Sequence, residues 1–127
     1  MESTKRILIV EDEKPLAQVL GNKLIHEGFE TKIVFDGAQA LLLLRQENFD
    51  LIILDLVMPE TDGFSVLAKL KTLGIQTPVI VTSNLSQEED INRAKALGAI
   101  GYFIKSDTTL IAVVEQIKKL FEELDKL

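Results

Sequence analysis

Three carboxylates, a hydroxyl and an ammonium each stand at the end of a short apolar run in this sequence. Ile7-Leu8-Ile9-Val10 stops at Glu11 and Asp12, Leu51-Ile52-Ile53-Leu54 at Asp55, Val79-Ile80-Val81 at Thr82, and Tyr102-Phe103-Ile104 at Lys105. Brought together, acidic oxygens hold a hard divalent cation, and a carboxylate beside that cation can attack phosphorus. A lysine and a threonine can then take the oxygens of the incoming group. Taken singly, each has an ordinary explanation: Asp12 could cap a helix, Thr82 could end a strand, and Lys105 could be solvated. Those separate explanations do not say why four apolar runs all end in complementary groups.

Parallel strands covered on both faces read as continuous apolar segments, and ligands gather outside their carboxyl ends. The chain alternates such runs with helical patterns five times, which is the sequence form of an open parallel α/β sheet with helices on both faces. Strands are expected at Lys5 to Val10, Thr31 to Phe35, Leu51 to Leu54, Pro78 to Val81 and Gly101 to Ile104. Pro15 suits a first helical turn, Gly28 follows the first helix, Asp36 can cap the second and Gly74 follows the third. Ser86-Gln87-Glu88-Glu89 has the pattern of a capping box for the fourth helix, which Gly98 should end, and the fifth should begin near Asp107. In that last helix Leu110, Val113, Val114, Ile117, Leu120, Phe121 and Leu124 form an apolar stripe that fits docking on a sheet.

Five-stranded sheets of this size commonly take the flavodoxin-like order 2-1-3-4-5, which puts the first and third strands side by side. At about 4.8 Å per strand, Glu11, Asp12 and Asp55 would share one cleft. Three such charges repel, so a proton or a hard cation must neutralise them, and an open carboxylate cage suits Mg²⁺ that keeps some of its waters. Lys105 would lie two strands from Asp55, roughly 10 Å away, a gap its long stem can largely close. The Thr82 hydroxyl and the backbone N–H of Ser83 would reach further phosphoryl oxygens.

Composition narrows the possibilities. A chain of 127 residues fits a single domain over residues 1–127, and 46% hydrophobic with 27% charged residues is globular. No segment has the apolar length needed to cross a bilayer, and the start, Met1 to Arg6, lacks the features of a signal peptide, so a cytoplasmic location is expected. Cysteine is absent, which excludes disulfides, thiolate catalysis and cysteine-held metals, and one histidine, His26, cannot make a multi-histidine site. A formal charge of -6 without a basic run disfavours direct contact with nucleic acid or anionic lipid.

Val10-Glu11-Asp12-Glu13, Leu54-Asp55-Leu56-Val57-Met58-Pro59, Asp62-Gly63, Val81-Thr82-Ser83 and Tyr102-Phe103-Ile104-Lys105, in that order, closely resemble receiver domains of two-component response regulators. The resemblance covers nearly the whole chain. It implies a stand-alone, phosphorylation-dependent switch in which Asp55 accepts phosphate from a histidine kinase or a histidine phosphotransfer protein. Mg²⁺ would be held by Asp12, Asp55 and the Val57 carbonyl, with Glu11 acting through water. Thr82 and Lys105 would assist, and Tyr102 would turn inward on phosphorylation. The surface of the fourth helix, fifth strand and fifth helix would then change for an output partner not named by the sequence. Only self-phosphorylation and autodephosphorylation are expected, in a monomer or a phosphorylation-linked dimer.

The chain departs from the family pattern twice. Ser106 follows Lys105 where receivers usually carry a proline after a cis bond, and a cis bond before serine costs about 2.5 to 4 kcal/mol, so a trans bond and a shifted loop are expected. Ala99-Ile100-Gly101 replaces the acidic residues used by dimerising winged-helix regulators, which disfavours that dimer. Val57 and Asn84, two positions after Asp55 and Thr82, resemble sites that tune phosphate lifetime, with Val57 crowding the path of water. His26 reads as an ordinary helix residue, and Leu41-Leu42-Leu43-Leu44 as part core and part exposed surface. Two other readings compete with this one. A pseudo-receiver that binds partners without phosphorylation would need a degenerate pocket. A phosphatase of the haloacid dehalogenase type would need a second aspartate at the position of Val57.

Overall fold

A strand apolar at every position must be covered on both faces, and Leu51, Ile52, Ile53 and Leu54 are each at most 1% exposed. The computed structural model describes residues 4–127 and shows how that cover is built. The elements run β1 (Arg6–Val10), α1 (Lys14–His26), β2 (Glu30–Val34), α2 (Gly37–Gln46), β3 (Leu51–Leu54) and α3 (Gly63–Thr72). They continue with β4 (Val79–Ser83), α4 (Glu88–Ala96), β5 (Gly101–Ile104), a 3₁₀ turn (Lys105–Asp107) and α5 (Leu110–Leu124). All strand pairs are parallel, in the expected order 2-1-3-4-5. The opening residues Met1 to Ser3, part of the segment that lacks the features of a signal peptide, lie outside the described residues. Among the described residues no helix is long and apolar enough to cross a membrane.

Side chains alternate across a strand, so each strand feeds two cores. Leu8, Val10, Ile52, Leu54, Val79 and Val81 pack with Ala40, Leu44, Phe64, Leu67 and Ala94 from α2, α3 and α4. Ile7, Ile9, Leu51, Ile53 and Ile80 pack with Ala17 and Leu24 of α1 and with Val113, Val114, Ile117 and Phe121 of α5. The α5 stripe therefore docks on the sheet as its spacing required, with Leu124 at the exposed end. In α2, Leu44 is buried and Leu42 is 60% exposed, while His26 ends α1 on the surface.

Helix ends follow local chemistry at most positions. Asp36 accepts from the Gln39 N–H at 2.8 Å, Asp62 from the Ser65 N–H at 2.8 Å and Thr109 from the Ala112 N–H at 3.1 Å. Gly28, Gly74 and Gly98 leave α1, α3 and α4 with positive φ, a conformation that side chains with a Cβ resist.

Several boundaries differ from expectation, and β1 and β4 each start one residue late, at Arg6 and Val79. β2 begins and ends one residue earlier than its apolar pattern suggested, because Glu30 pairs with Arg6 at the sheet edge. β4 runs through Thr82 and Ser83, which pair with Phe103 and Ile104, so both lie within the strand. The capping box at Ser86 does not form: Gln87 is the cap residue of α4 and makes no side-chain cap bond. Glu88, Glu89 and Asp90 instead place negative charge in the first turn, where the helix dipole favours it. Finally, α5 starts at Leu110 and not near Asp107, because the 3₁₀ turn takes up Lys105–Asp107.

Candidate functional site

The pairing register sets the level of each chemical group. Val10 pairs with Leu54 and Leu54 with Val81, so Glu11, Asp55 and Thr82 follow in one row across β1, β3 and β4. Side-chain alternation sets the face. Glu11, Asp55, Thr82 and Lys105 each lie two positions beyond Ile9, Ile53, Ile80 and Phe103, all of which belong to the α1 and α5 side of the sheet. Tyr102 and Ser83 have the opposite parity, and Tyr102 packs against the core beneath α2, α3 and α4.

Lys105 bridges the two buried acids. Its Nζ lies 2.5 Å from Glu11 Oε1 and 3.1 Å from Asp55 Oδ2, so the ammonium crosses the gap between β5 and β3. The remaining oxygens are also held: Val57 N–H donates to Asp55 Oδ1 and Glu13 N–H to Glu11 Oε2, each at 3.1 Å. Asp55 and Glu11 are 3% and 5% exposed, in contrast to half-buried Asp12. One carboxylate oxygen from each of Glu11, Asp12 and Asp55 lies within 4.8 Å of the others. The Lys105–Glu11 pair was not foreseen from sequence, where Lys105 was assigned only to phosphoryl oxygen. An ammonium left free in an acidic pocket takes the nearest carboxylate.

Burial decides the electrostatics of this cluster. It pushes the Glu11 carboxyl up to about 7, even though Lys105 and the Glu13 N–H favour its anion. Asp55 is raised for the same reason, against the opposing Val57 N–H and the Lys105 charge. Burial lowers Lys105, but the hydrogen bond and charge of Glu11 and the charge of Asp55 outweigh it and the ammonium is held above its usual range. Two buried acids with one ammonium remain short of positive charge. A donor set made only of carboxylate oxygens, with Asp12 open to solvent, fits a hard divalent ion such as Mg²⁺ and leaves room for its waters.

The loops after the strands hold the other expected residues. Val57 is 56% exposed, and its backbone N–H is the group that meets Asp55. The Tyr102 hydroxyl donates to the Leu85 carbonyl at 2.7 Å, and burial raises its phenol. Ser83 is fully buried, and its Oγ accepts from the Leu85 N–H at 3.1 Å. Asn84 reaches the other loop, its Oδ1 accepting from the Ser106 N–H at 3.1 Å. No cis peptide occurs among the described residues, so the bond after Lys105 is trans, as expected without proline.

One residue behind Asp55 emerges only in three dimensions. Gly63 N–H donates to the Leu56 carbonyl at 2.8 Å, and a Cβ at this glycine would come within 2.6 Å of the Asp55 carbonyl oxygen. The Asp-Gly pair was visible in the sequence. Its contact with the backbone of Asp55 was not.

Comparison with known proteins gives consistent matches. The family model described as response regulator receiver domain matches residues 7–118. The transcriptional regulatory protein DltR of Streptococcus agalactiae is 35% identical over 100 residues, covering 79% of this chain and 45% of DltR. The chain thus spans about half the length of curated relatives such as this one. Among solved structures, the Francisella response regulator 1452 receiver domain superposes with a TM-score of 0.89 at 30% identity, covering 95% of this chain and 99% of that one. The response regulator TrrA of Thermotoga maritima, solved in complex with Mg(2+)-BeF, gives a TM-score of 0.81 at 31% identity, covering 92% of this chain and 99% of that one.

Proposed function

This chain belongs to the response regulator receiver domain family, and from that membership we propose that it is a phosphorylation-dependent signalling switch with Asp55 as phosphoacceptor. The observation that carries the proposal is the row of Glu11, Asp55 and Thr82 closed by the Lys105 bridge. An Asp55 carboxylate oxygen forms the new bond to phosphorus while the phosphorus–nitrogen bond of a phosphohistidine breaks, and the imidazole leaves with a proton. The donor would be a histidine kinase or a histidine phosphotransfer protein. Glu11, Asp12, Asp55 and the Val57 carbonyl would hold Mg²⁺, which supplies positive charge against the charge of the incoming group.

Lys105 then exchanges its contact with Asp55 for a phosphoryl oxygen, and the Thr82 hydroxyl and Ser83 N–H take two more. Tyr102 shares the loop after β4 through its bond to Leu85, so movement of Thr82 changes the surface formed by α4, β5 and α5. That surface is where an output protein or domain would read the state, with the domain acting as a monomer or as a phosphorylation-linked dimer. The absence of an aspartate at Val57 removes the acid that a haloacid dehalogenase phosphatase requires.

Intact mass after incubation with Mg²⁺ and acetyl phosphate tests the proposal. One added phosphoryl group, lost in Asp55→Asn and in metal-free buffer, is the expected result. No adduct, together with no binding of beryllofluoride, would make the chain an unphosphorylated interaction module.

A further inference from the structure

The turn carrying Lys105 is fastened to the neighbouring loop by a hydrogen bond that requires an N–H at position 106. Ser83 pairs with Ile104, which brings Asn84 level with Lys105 at the ends of β4 and β5. The Asn84 Oδ1 accepts from the Ser106 N–H at 3.1 Å, immediately after Lys105. On the other side of Lys105, the Tyr102 hydroxyl donates to the Leu85 carbonyl at 2.7 Å. Leu85 is itself fixed, its N–H donating to the fully buried Ser83 at 3.1 Å. The loop after β4 therefore grips β5 on both sides of the lysine. A proline at 106 has no N–H and would remove one of the two grips while restricting the turn through its ring.

We propose that Asn84 is a positioning residue that acts through the Ser106 N–H to hold the Lys105 ammonium at Asp55 and Glu11. The pair does for this chain what a rigid residue after the lysine would otherwise do, and it couples Lys105 to the loop that begins at Asn84, just after Thr82 and Ser83 of β4. The catalytic consequence rests on Asp55 being the phosphoacceptor; the positional claim does not. Asn84 thus tunes the site through the lysine, with no contact to the phosphoryl group required.

The test is a double-mutant cycle with Asn84→Ala and Ser106→Pro on metal-free protein, reading the acetylation rate of Lys105 by peptide mass spectrometry. Loss of one exposed hydrogen bond should raise Lys105 labelling about threefold in Asn84→Ala. In the Ser106→Pro background the same substitution should change nothing, because the donor is already gone. Asn84→Asp, which keeps the acceptor oxygen and adds a charge that favours the ammonium, should show none of the rise seen in Asn84→Ala, and this arm does not depend on how the proline variant folds. Unchanged labelling in Asn84→Ala, or an equal change in both backgrounds, would overturn the proposal. Phosphorylation by acetyl phosphate is followed in parallel, with Asn84→Ala about threefold slower by the same hydrogen-bond reasoning. Wild-type protein that takes no phosphoryl group but shows the labelling cycle would keep the latch and reject the phosphoacceptor reading.

Discussion

At Glu11, the cost of burying a charge exceeds the help from the ammonium 2.5 Å away. The consequence for stability has a definite sign. A carboxyl raised from 4.5 to about 7 binds its proton more tightly in the folded chain than in the unfolded one. Its contribution therefore favours folding below pH 4.5 and declines as pH rises through about 7. In metal-free buffer, the difference in Tm between wild type and Glu11→Gln is expected to shift in favour of the variant from pH 5 to pH 8. Added Mg²⁺ should reverse that trend, because a bound cation favours the ionised form. A pH-independent difference would show that Glu11 is not buried as a charge. Val57 raises a separate question of kinetics. Its side chain is 56% exposed and its N–H is bonded to Asp55, and Val57→Asn is expected to shorten the phosphoryl lifetime, measured by decay of the phosphorylated mass. An unchanged lifetime would remove Val57 from the path of water.

The loop between β3 and α3 packs against the backbone of Asp55 and carries local strain as well. Glu60 has φ 68, and the Thr61 N–H bonds to the Pro59 carbonyl at 2.7 Å, a tight three-residue turn of the rare positive-φ kind. Glu60→Gly is expected to stabilise the fold by about 1 kcal/mol, read as a higher urea midpoint, since glycine adopts this conformation freely. The opposite holds at Gly63, where an added methyl would meet the Asp55 carbonyl oxygen and the Leu56 Cα, both at 2.6 Å. Backbone cannot give way as a flexible side chain can, so Gly63→Ala should cost about 1 to 3 kcal/mol and slow phosphorylation of Asp55. One substitution removes a Cβ with its side chain and the other adds a Cβ, and only the fold tells which of them is favourable. Elements also limit what motifs can say. The residues 86–89 match a capping box, yet α4 starts one position too late for Ser86 to serve it, because a cap depends on where the chain enters the helix.

Across the whole molecule, two charged clusters lie at opposite ends of the sheet. At the entry end, Arg6 binds Glu30 at 2.8 Å, Glu47 at 2.6 Å and the Asn48 carbonyl at 2.6 Å, and its guanidinium lies 4.6 Å from the centre of the Phe49 ring. One side chain thus joins β1, β2 and the segment between α2 and β3. The cluster of Glu11, Asp55 and Lys105 occupies the exit end of the same strands. Arg6→Ala is therefore expected to lower Tm while leaving the rate of phosphorylation at saturating Mg²⁺ unchanged. A parallel fall in that rate would mean that the two ends communicate through the sheet. The curated relatives extend well beyond the part matched here, which agrees with a receiver unit whose surface is read by something else.

Local sequence determined the strands, their apolar faces, the residues at their ends and most helix stops, because period, caps and glycine φ are set within a few residues. The acidic set and Lys105 were legible for the same reason: each follows an apolar run at once. Tertiary structure decided what those groups touch. Lys105 meets Glu11 across 94 positions of sequence, Ser106 meets Asn84 across 22, and Gly63 sits against the carbonyl of Asp55. Such contacts depend on strand order, register and the paths of loops, and the chain must close on itself before any of them exists.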